Sequence, residues 1–450
     1  MSKYIVLLFL CVISIGSFSQ TTDFQTLCEL HQKNLDSLHI SRGASRPEWM
    51  DCKDIDSNTI INLLKRYKRN VAILLYTPLD SKNRKSDSFN LTLYTKKGIV
   101  FNHSEAINKD QLISDITLFN SRISGQFFAY SDSKIPSTEK QEEDIRGLVA
   151  VPVEESQSNV SYLLQTILPP EEYLKDIDHL IIVPSLNIAT IPFSALQFSD
   201  GEYLIDKMSY SIAPSLFEIL VINEQINEHF SNLGLKRKGG EKNRFSWYNP
   251  LIIENPTYPN PEKYPNLEGT EKEIELISSF IKNDKTTILK GKKATTENVL
   301  KNIEGRDLLY FATHGVADVR NALDSSFIVL ADQGENSYLT SRTIQKLDLS
   351  KTELVVLSAC QTGLGQEHEG GIIGLTRAFQ IAGAKNILST LWSIYDSKTP
   401  ELMYYFFEEM EKGGELMPYE ALRQAILRFK KEVSGEPRYW AAFMFFGVPY

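Results

Sequence analysis

Two short stretches of this 450-residue chain end an apolar run with a residue capable of acid–base or nucleophilic chemistry. Residues 353–363 read Glu-Leu-Val-Val-Leu-Ser-Ala-Cys-Gln-Thr-Gly and place Cys360 after a β-branched and aliphatic run. Residues 308–315 read Leu-Leu-Tyr-Phe-Ala-Thr-His-Gly and place His314 after a second one. Such runs are typical of strands buried on both faces of a sheet. Since ligands bind at the carboxyl ends of strands in open α/β sheets, neighbouring strands would bring His314 and Cys360 together there.

These residue types suit acyl transfer. A histidine within hydrogen-bond reach activates a cysteine thiol and can later protonate the leaving amine. The reaction also needs N–H donors directed at the developing oxyanion, and glycine beside a reactive residue allows close backbone approach. We predict that Cys360 is the nucleophile, that His314 is the acid and base, and that the backbone N–H groups of Gly315 and Cys360 hold the oxyanion. Alternatively, both residues are structural, the usual reading for an isolated buried cysteine.

Two acidic residues are candidates for substrate binding. Asp396 follows a predicted strand, and a carboxylate lining the specificity pocket would favour a basic substrate side chain. Its alternative role is to support the N-terminus of a helix that begins near residue 399. Glu369, on the predicted loop after Cys360, is the second predicted substrate-binding residue.

The identity of the base has one weaker alternative. His368 lies on the loop after the cysteine, but no buried strand precedes it, so His314 is the better candidate. Asp318 or Asn321 could orient the imidazole of His314, and the sequence does not choose between them.

The elements around these residues alternate between strand and helix patterns. This alternation predicts an α/β fold with a mainly parallel sheet flanked by helices, preceded by an N-terminal α+β region. Thr270 followed by Glu273 before an apolar run predicts a capping box. A glycine-rich helix is predicted from Gly370 to Ala382.

The motifs around His314 and Cys360 resemble those of the CHAT domain, a branch of the caspase-like cysteine peptidases. The histidine also precedes the cysteine by about 50 residues, as it does in caspases. Further stretches resemble the family, namely residues 182–184, 191–193, 203–206, 370–379, 382–384, 390–392 and 439–443. The resemblance extends from about Val71 to the C-terminus.

The resemblance implies a caspase-like fold with a His314/Cys360 dyad. It also implies endopeptidase activity on protein or peptide substrates, often controlled by an activating protein partner, and no cofactor. CHAT domains usually follow tetratricopeptide repeats, and none is evident in this sequence. The predicted division is a signal peptide (1–19), a helical segment (20–70), an N-terminal α+β part of the CHAT region (71–175) and the catalytic CHAT domain (176–450).

The first 19 residues have the pattern of an export signal. Lys3 supplies a positive charge, residues 5–15 are nearly all apolar, and Ser17-Phe18-Ser19 fits a cleavage site. We therefore predict export to the periplasm or the exterior after cleavage near Gln20. No later segment is apolar for long enough to span a membrane.

The overall composition argues against some classes of binding partner. A formal net charge of −9, without a dense Lys/Arg cluster, argues against nucleic acid. No Cys/His spacing suggests a metal site, and Cys28 and Cys52 either form a disulfide or remain reduced thiols. The sequence thus predicts an exported cysteine endopeptidase. In one form of this prediction, the enzyme is latent until a protein partner activates it. The alternative is a non-catalytic CHAT-fold interaction or signalling module.

Overall fold

The computed structural model describes residues 56–79, 88–106, 108–125, 167–220, 223, 247–318, 321–331, 337–359, 365–368, 371–412 and 417–449. Within these ranges the chain forms sixteen strands: β1 Val71–Leu79, β2 Ser88–Thr95, β3 Gly98–Ala106, β4 His179–Val183, β5 Ser209–Ile212, β6 Leu251–Pro256, β7 Thr287–Gly291, β8 Leu308–Ala312, β9 Gly315–Val316, β10 Phe327–Val329, β11 Tyr338–Thr340, β12 Leu354–Ser358, β13 Gly365–His368, β14 Gly371–Gly374, β15 Ile387–Thr390 and β16 Phe443–Phe446.

The first of the described helices precedes β1, and the others lie between strands along the chain. They are α1 Ser57–Arg66, α2 Lys109–Ser124, α3 Leu204–Lys207, α4 Glu268–Ile281, α5 Thr296–Ile303, α6 Ser341–Ile344, α7 Leu375–Ile381, α8 Thr399–Lys412, α9 Pro418–Glu432 and α10 Pro437–Trp440. Short 3₁₀ turns occupy Glu171–Tyr173, Leu186–Thr190 and Phe193–Ala195. No helix in the described part of the chain combines the length and the apolar character that a bilayer crossing requires.

Eleven of the described strands form one sheet in the order β3-β2-β1-β4-β5-β16-β15-β12-β8-β6-β7. Strands β1, β4, β5 and β16 run parallel to one another, and so do β15, β12, β8, β6 and β7. The two parallel blocks meet at the antiparallel pair β15–β16. The antiparallel strands β2 and β3 extend the first block. The prediction of a mainly parallel sheet with an N-terminal α+β region is confirmed.

The core strand β8 shows why these apolar runs become strands buried on both faces. Successive side chains of a strand point to opposite faces of the sheet. The ring of Tyr310 packs against Phe407 of α8, with centroids 5.9 Å apart, and Phe311 packs against Phe379 of α7 at 5.7 Å. With helices on both sides, every residue of β8 is buried. Burying each large apolar side chain contributes about 1.5–3 kcal/mol to the stability of the folded state. This burial holds in place the strand that leads to His314.

Two local predictions are wrong. The predicted helix from Gly370 to Ala382 begins only at Leu375, because the glycine-bounded stretch Gly371–Gly374 forms β14, which pairs with β13. Glycine disfavours helix, so the strand pairing prevails there. Thr270 and Glu273 do not form a capping box, because α4 already begins at Glu268.

The two residues of that motif bond elsewhere. The hydroxyl of Thr270 donates to the carbonyl of Leu267 at 2.6 Å. The buried carboxylate of Glu273 accepts from the hydroxyl of Tyr310, also at 2.6 Å. At the N-terminus of α4, a hydrogen bond comes instead from Asp396, a residue distant in sequence, which accepts from the backbone N–H of Gly269.

Candidate active site

The strands that lead to the two predicted catalytic residues are direct neighbours. Strands β8 and β12 pair in parallel, with Leu354 opposite Leu308 and Ser358 opposite Ala312. Positions 314 and 360 therefore each lie two residues beyond the same paired step of the ladder. Neighbouring strands are about 4.8 Å apart. The predicted adjacency of the two strands is correct, whereas Cys360 itself lies outside the described residues, as do Glu369, the predicted signal peptide, Cys28 and Cys52.

The imidazole of His314 is oriented by a backbone carbonyl. Its Nε2 lies 2.7 Å from the carbonyl oxygen of Pro265. Because a carbonyl oxygen only accepts, Nε2 carries the proton in this arrangement. In the neutral ring the other nitrogen, Nδ1, is then the basic one. The geometry thus leaves Nδ1 as the nitrogen of the neutral ring that can accept a proton.

Aromatic rings and backbone bonds hold the same histidine in place. Tyr258 meets the imidazole edge-on at 4.7 Å between centroids, and Tyr264 lies 5.6 Å away. The backbone N–H of Val329 donates to the carbonyl of His314 at 2.9 Å, and the Thr313 hydroxyl donates to the carbonyl of Val329 at 2.8 Å. His314 is only 2% exposed. A side chain locked by its neighbours loses little further freedom when it reacts.

The backbone around the predicted oxyanion donors is partly described. Gly315 begins β9, where it pairs with Ile328 of β10. On the cysteine side the last described residue is Ala359, which is buried and whose carbonyl accepts from the hydroxyl of Thr390 at 2.5 Å. The chain is therefore anchored on β15 up to the residue before Cys360. The oxyanion roles of Gly315 and Cys360 stay predictions.

Asp396 lies between β15 and α8 in the chain, but its carboxylate forms a hydrogen bond with another helix. Its Oδ2 accepts a hydrogen bond from the backbone N–H of Gly269, in the first turn of α4. A carboxylate at a helix N-terminus is stabilised by the unpaired N–H groups and the helix dipole. The supported helix is thus α4, 127 residues away in sequence, whereas the prediction named the helix at residue 399. The substrate-binding role of Asp396 stays a prediction.

The sequence did not indicate the Pro265 carbonyl that bonds His314. Of the two predicted orienting residues, Asp318 accepts from the backbone N–H of Asn321 at 2.9 Å, and the orienting role of either stays a prediction. A backbone carbonyl such as that of Pro265 has no signature in residue type, so no motif could indicate it. Among the described residues, no group of three or more His, Cys, Asp or Glu side chains is placed to hold a metal ion.

Comparison with known proteins decides the family. The model of the CHAT domain matches residues 157–448, well over half of the chain. The chain belongs to the CHAT domain family. This confirms the resemblance seen in the motifs, and with it the caspase-like fold class.

Two relatives of this CHAT chain are Tetratricopeptide repeat protein 28 of Homo sapiens and of Mus musculus. They are 25% identical over 308 residues and 23% identical over 306 residues. Each match covers 60% of this chain and 12% of the relative. The chain thus corresponds to a small part of the curated relatives it matches.

Solved structures with a similar chain include the Saccharomyces cerevisiae separase–securin complex, at 20% identity and a TM-score of 0.42. That match covers 61% of this chain and 16% of the other. The complex of the Porphyromonas gingivalis RgpB pro- and mature domains is 11% identical, with a TM-score of 0.40. It covers 62% of this chain and 67% of the other.

Proposed function

We propose that this CHAT protein is a cysteine endopeptidase whose dyad is His314 and Cys360. The observation that carries the proposal is the parallel register of β8 and β12, in which Ala312 pairs with Ser358. These two residues precede His314 and Cys360 by two positions each in the sequence. The Pro265 carbonyl adds support, because it leaves Nδ1 of His314 as the atom that exchanges a proton. A nucleophile with an oriented base is the arrangement that covalent acyl transfer requires.

The reaction proceeds in two halves. Nδ1 takes the proton of the Cys360 thiol, and the sulfur attacks the scissile carbonyl carbon to form a tetrahedral oxyanion held by the N–H groups of Gly315 and Cys360. Nδ1–H then gives its proton to the amide nitrogen, the C–N bond breaks and the amine leaves. Water, deprotonated by the same nitrogen, hydrolyses the thioester and regenerates the thiol. Throughout, Nε2–H donates to the Pro265 carbonyl, which favours the imidazolium when it forms.

Two further proposals come from the sequence. The N-terminal pattern up to residue 19 supports export, with the mature chain beginning near Gln20. The family resemblance supports control by an activating protein partner, so the isolated chain could be latent.

The test is cleavage of a peptide library by the purified full chain beside Cys360→Ala and His314→Ala. We expect each variant to lose cleavage on the order of a thousandfold or more. His103→Ala is the matched control, because His103 is exposed on β3, at the edge of the large sheet and separated from β8 by seven other strands. Equal cleavage by all four proteins would exclude the dyad.

A latent enzyme is detected through its thiol. Iodoacetamide labelling near neutral pH, followed by mass spectrometry of the peptide that contains Cys360, measures reactivity without a substrate. Faster labelling of the wild type than of His314→Ala is expected even when cleavage is low. Equally slow labelling of both, with no cleavage, would overturn the proposal in favour of a non-catalytic interaction or signalling module.

A further inference from the structure

The residues 265–269 connect the region of β6 to the first turn of α4, and they include the carbonyl that orients His314. This 265–269 segment is bonded at its middle and at its end to two side chains that the mechanism does not use. One is Asn255 of β6, and the other is Asp396, which follows β15. The segment thus lies between two elements that belong to the same parallel block of the sheet as β8.

Asn255 fixes the middle of the segment. Its Oδ1 accepts from the backbone N–H of Leu267 at 3.2 Å, and its Nδ2 donates to Oδ1 of Asn266 at 2.9 Å. Asn255 is buried, has a φ of 39° and sits at a register shift in the pairing of β6 with β7. A non-glycine residue with positive φ is costly, and a bulge redirects the side chain of its strand. The distorted backbone at Asn255 therefore places its side chain where it forms hydrogen bonds with residues 266 and 267.

Asp396 fixes the end of the segment. Its carboxylate accepts the backbone N–H of Gly269. A Cβ added at Gly269 would overlap the backbone oxygen of Asp396 and lie 2.5 Å from its Cγ. Only glycine permits this close approach, because the added carbon would push the two chains apart. The close contact between the two residues therefore depends on glycine at position 269 as well as on the carboxylate of Asp396.

We propose that Asn255 and Asp396 are positioning residues for His314, acting through the 265–269 segment. Together they hold the Pro265 carbonyl where it keeps the proton on Nε2 and leaves Nδ1 basic. Asp396 on this basis orients the base through its hydrogen bond to Gly269. The inference rests on the proposed peptidase function, since it assigns a role to two residues in the activation of the same thiol.

The test uses variants of the full chain that release the segment in different ways. Asn255→Gly tolerates the positive φ but deletes both side-chain hydrogen bonds of Asn255. Asp396→Ala deletes the hydrogen bond to the backbone N–H of Gly269. Asp396→Asn keeps an acceptor oxygen without the charge. Asp284→Ala, on an exposed residue just after α4, is the matched control.

The first readout is the pH profile of iodoacetamide labelling at Cys360. We expect Asn255→Gly and Asp396→Ala to label about tenfold more slowly at neutral pH, because a small displacement of the base is enough for such a loss. The midpoint of their profiles should move upward, toward that of His314→Ala. Asp396→Asn should recover most of the rate, and Asp284→Ala should match the wild type. A merely structural role would lower stability to urea without moving the midpoint.

The second readout is the tautomer of His314, read by NMR of ¹⁵N-labelled histidine with His314→Gln to assign the signal. The wild type should show the Nε2–H form, and Asn255→Gly should show a mixture. Unchanged pH profiles in Asn255→Gly and Asp396→Ala, together with an unchanged tautomer in Asn255→Gly, would overturn the inference while the dyad stands. Equally slow labelling of the wild type and His314→Ala would instead remove the proposed function. If Asp396→Ala does not fold, Asn255→Gly decides.

Discussion

Replacing His179 should make the protein less sensitive to acid. His179 begins β4 and is fully buried, with Nδ1 3.0 Å from the Ser209 hydroxyl and Nε2 3.0 Å from the Ser211 hydroxyl. Its ring lies on that of Tyr419 at 3.7 Å between centroids. Burial, and after it the positive charge of Arg69, hold the pKa of His179 well below its ordinary value of 6.5. The folded protein therefore keeps this imidazole neutral at pH values where the unfolded chain protonates it.

The sign and size of the effect follow from that difference. A group with a lowered pKa in the folded state contributes its full stability above the unfolded pKa, and this stability falls as the pH drops from there toward the folded pKa. With an unfolded pKa of about 6.5 and a folded histidine that stays neutral, lowering the pH from about 7.5 to about 5.5 costs about 1.4 kcal/mol. Carboxylates add their own acid dependence, so the quantity of interest is a difference between variants.

The assay is urea denaturation of the wild type and His179→Gln at the two pH values. Glutamine cannot titrate and keeps a donor and an acceptor for the two serine hydroxyls. The variant should be less stable near neutral pH, but its deficit should shrink by about 1.4 kcal/mol at the lower pH. His103→Gln, on an exposed histidine of β3, is the control and should follow the wild type. A deficit of His179→Gln that stays constant between the two pH values would refute the reasoning.

Two more substitutions probe the surroundings of the site. Thr390→Val removes the hydroxyl that donates to the Ala359 carbonyl, so it should cost about 1 kcal/mol in urea denaturation and slow the alkylation of Cys360. Thr390→Ser should restore both, and alkylation unchanged in the valine variant would contradict the idea that this bond anchors the chain before the thiol. Arg377→Ala breaks a bidentate pair with Glu218 whose arginine side chain is only 4% exposed, and should cost about 3–5 kcal/mol. Arg377→Lys should recover only part of this because lysine lacks the planar fork, and full recovery would show that charge alone suffices.

The strands that lead to the site could be predicted because each carries its own local signal. The apolar runs 308–312 and 354–358 are continuous and end at small residues, which is how strands buried on both faces appear in a sequence. Their adjacency followed from the tendency of α/β units to form a parallel sheet. The reversal of direction at β15–β16 had no such signal, because it depends on which strands of distant segments meet.

The parts that sequence reasoning missed are contacts between distant segments. The capping box expected at Thr270 and Glu273 matched a local pattern, but Asp396 reaches the helix from 127 residues away. The Pro265 carbonyl and the positive φ of Asn255 are properties of the backbone and depend on the folded chain around them. Residue types alone therefore indicated the two strands that lead to the proposed dyad, but not the contacts that position His314.

Strand β16 has a consequence for how the protein is made. It lies between β5 and β15, near the middle of the large sheet, yet it is the last strand in the described chain. During synthesis, the edges around Ile212 and Ile387 must wait for Phe446 to emerge from the ribosome before they can be paired. Such late, long-range closure slows folding and leaves apolar edges open to chaperones or to other nascent chains. A chain that ends before residue 443 would lack the strand that joins the two parallel blocks of the sheet.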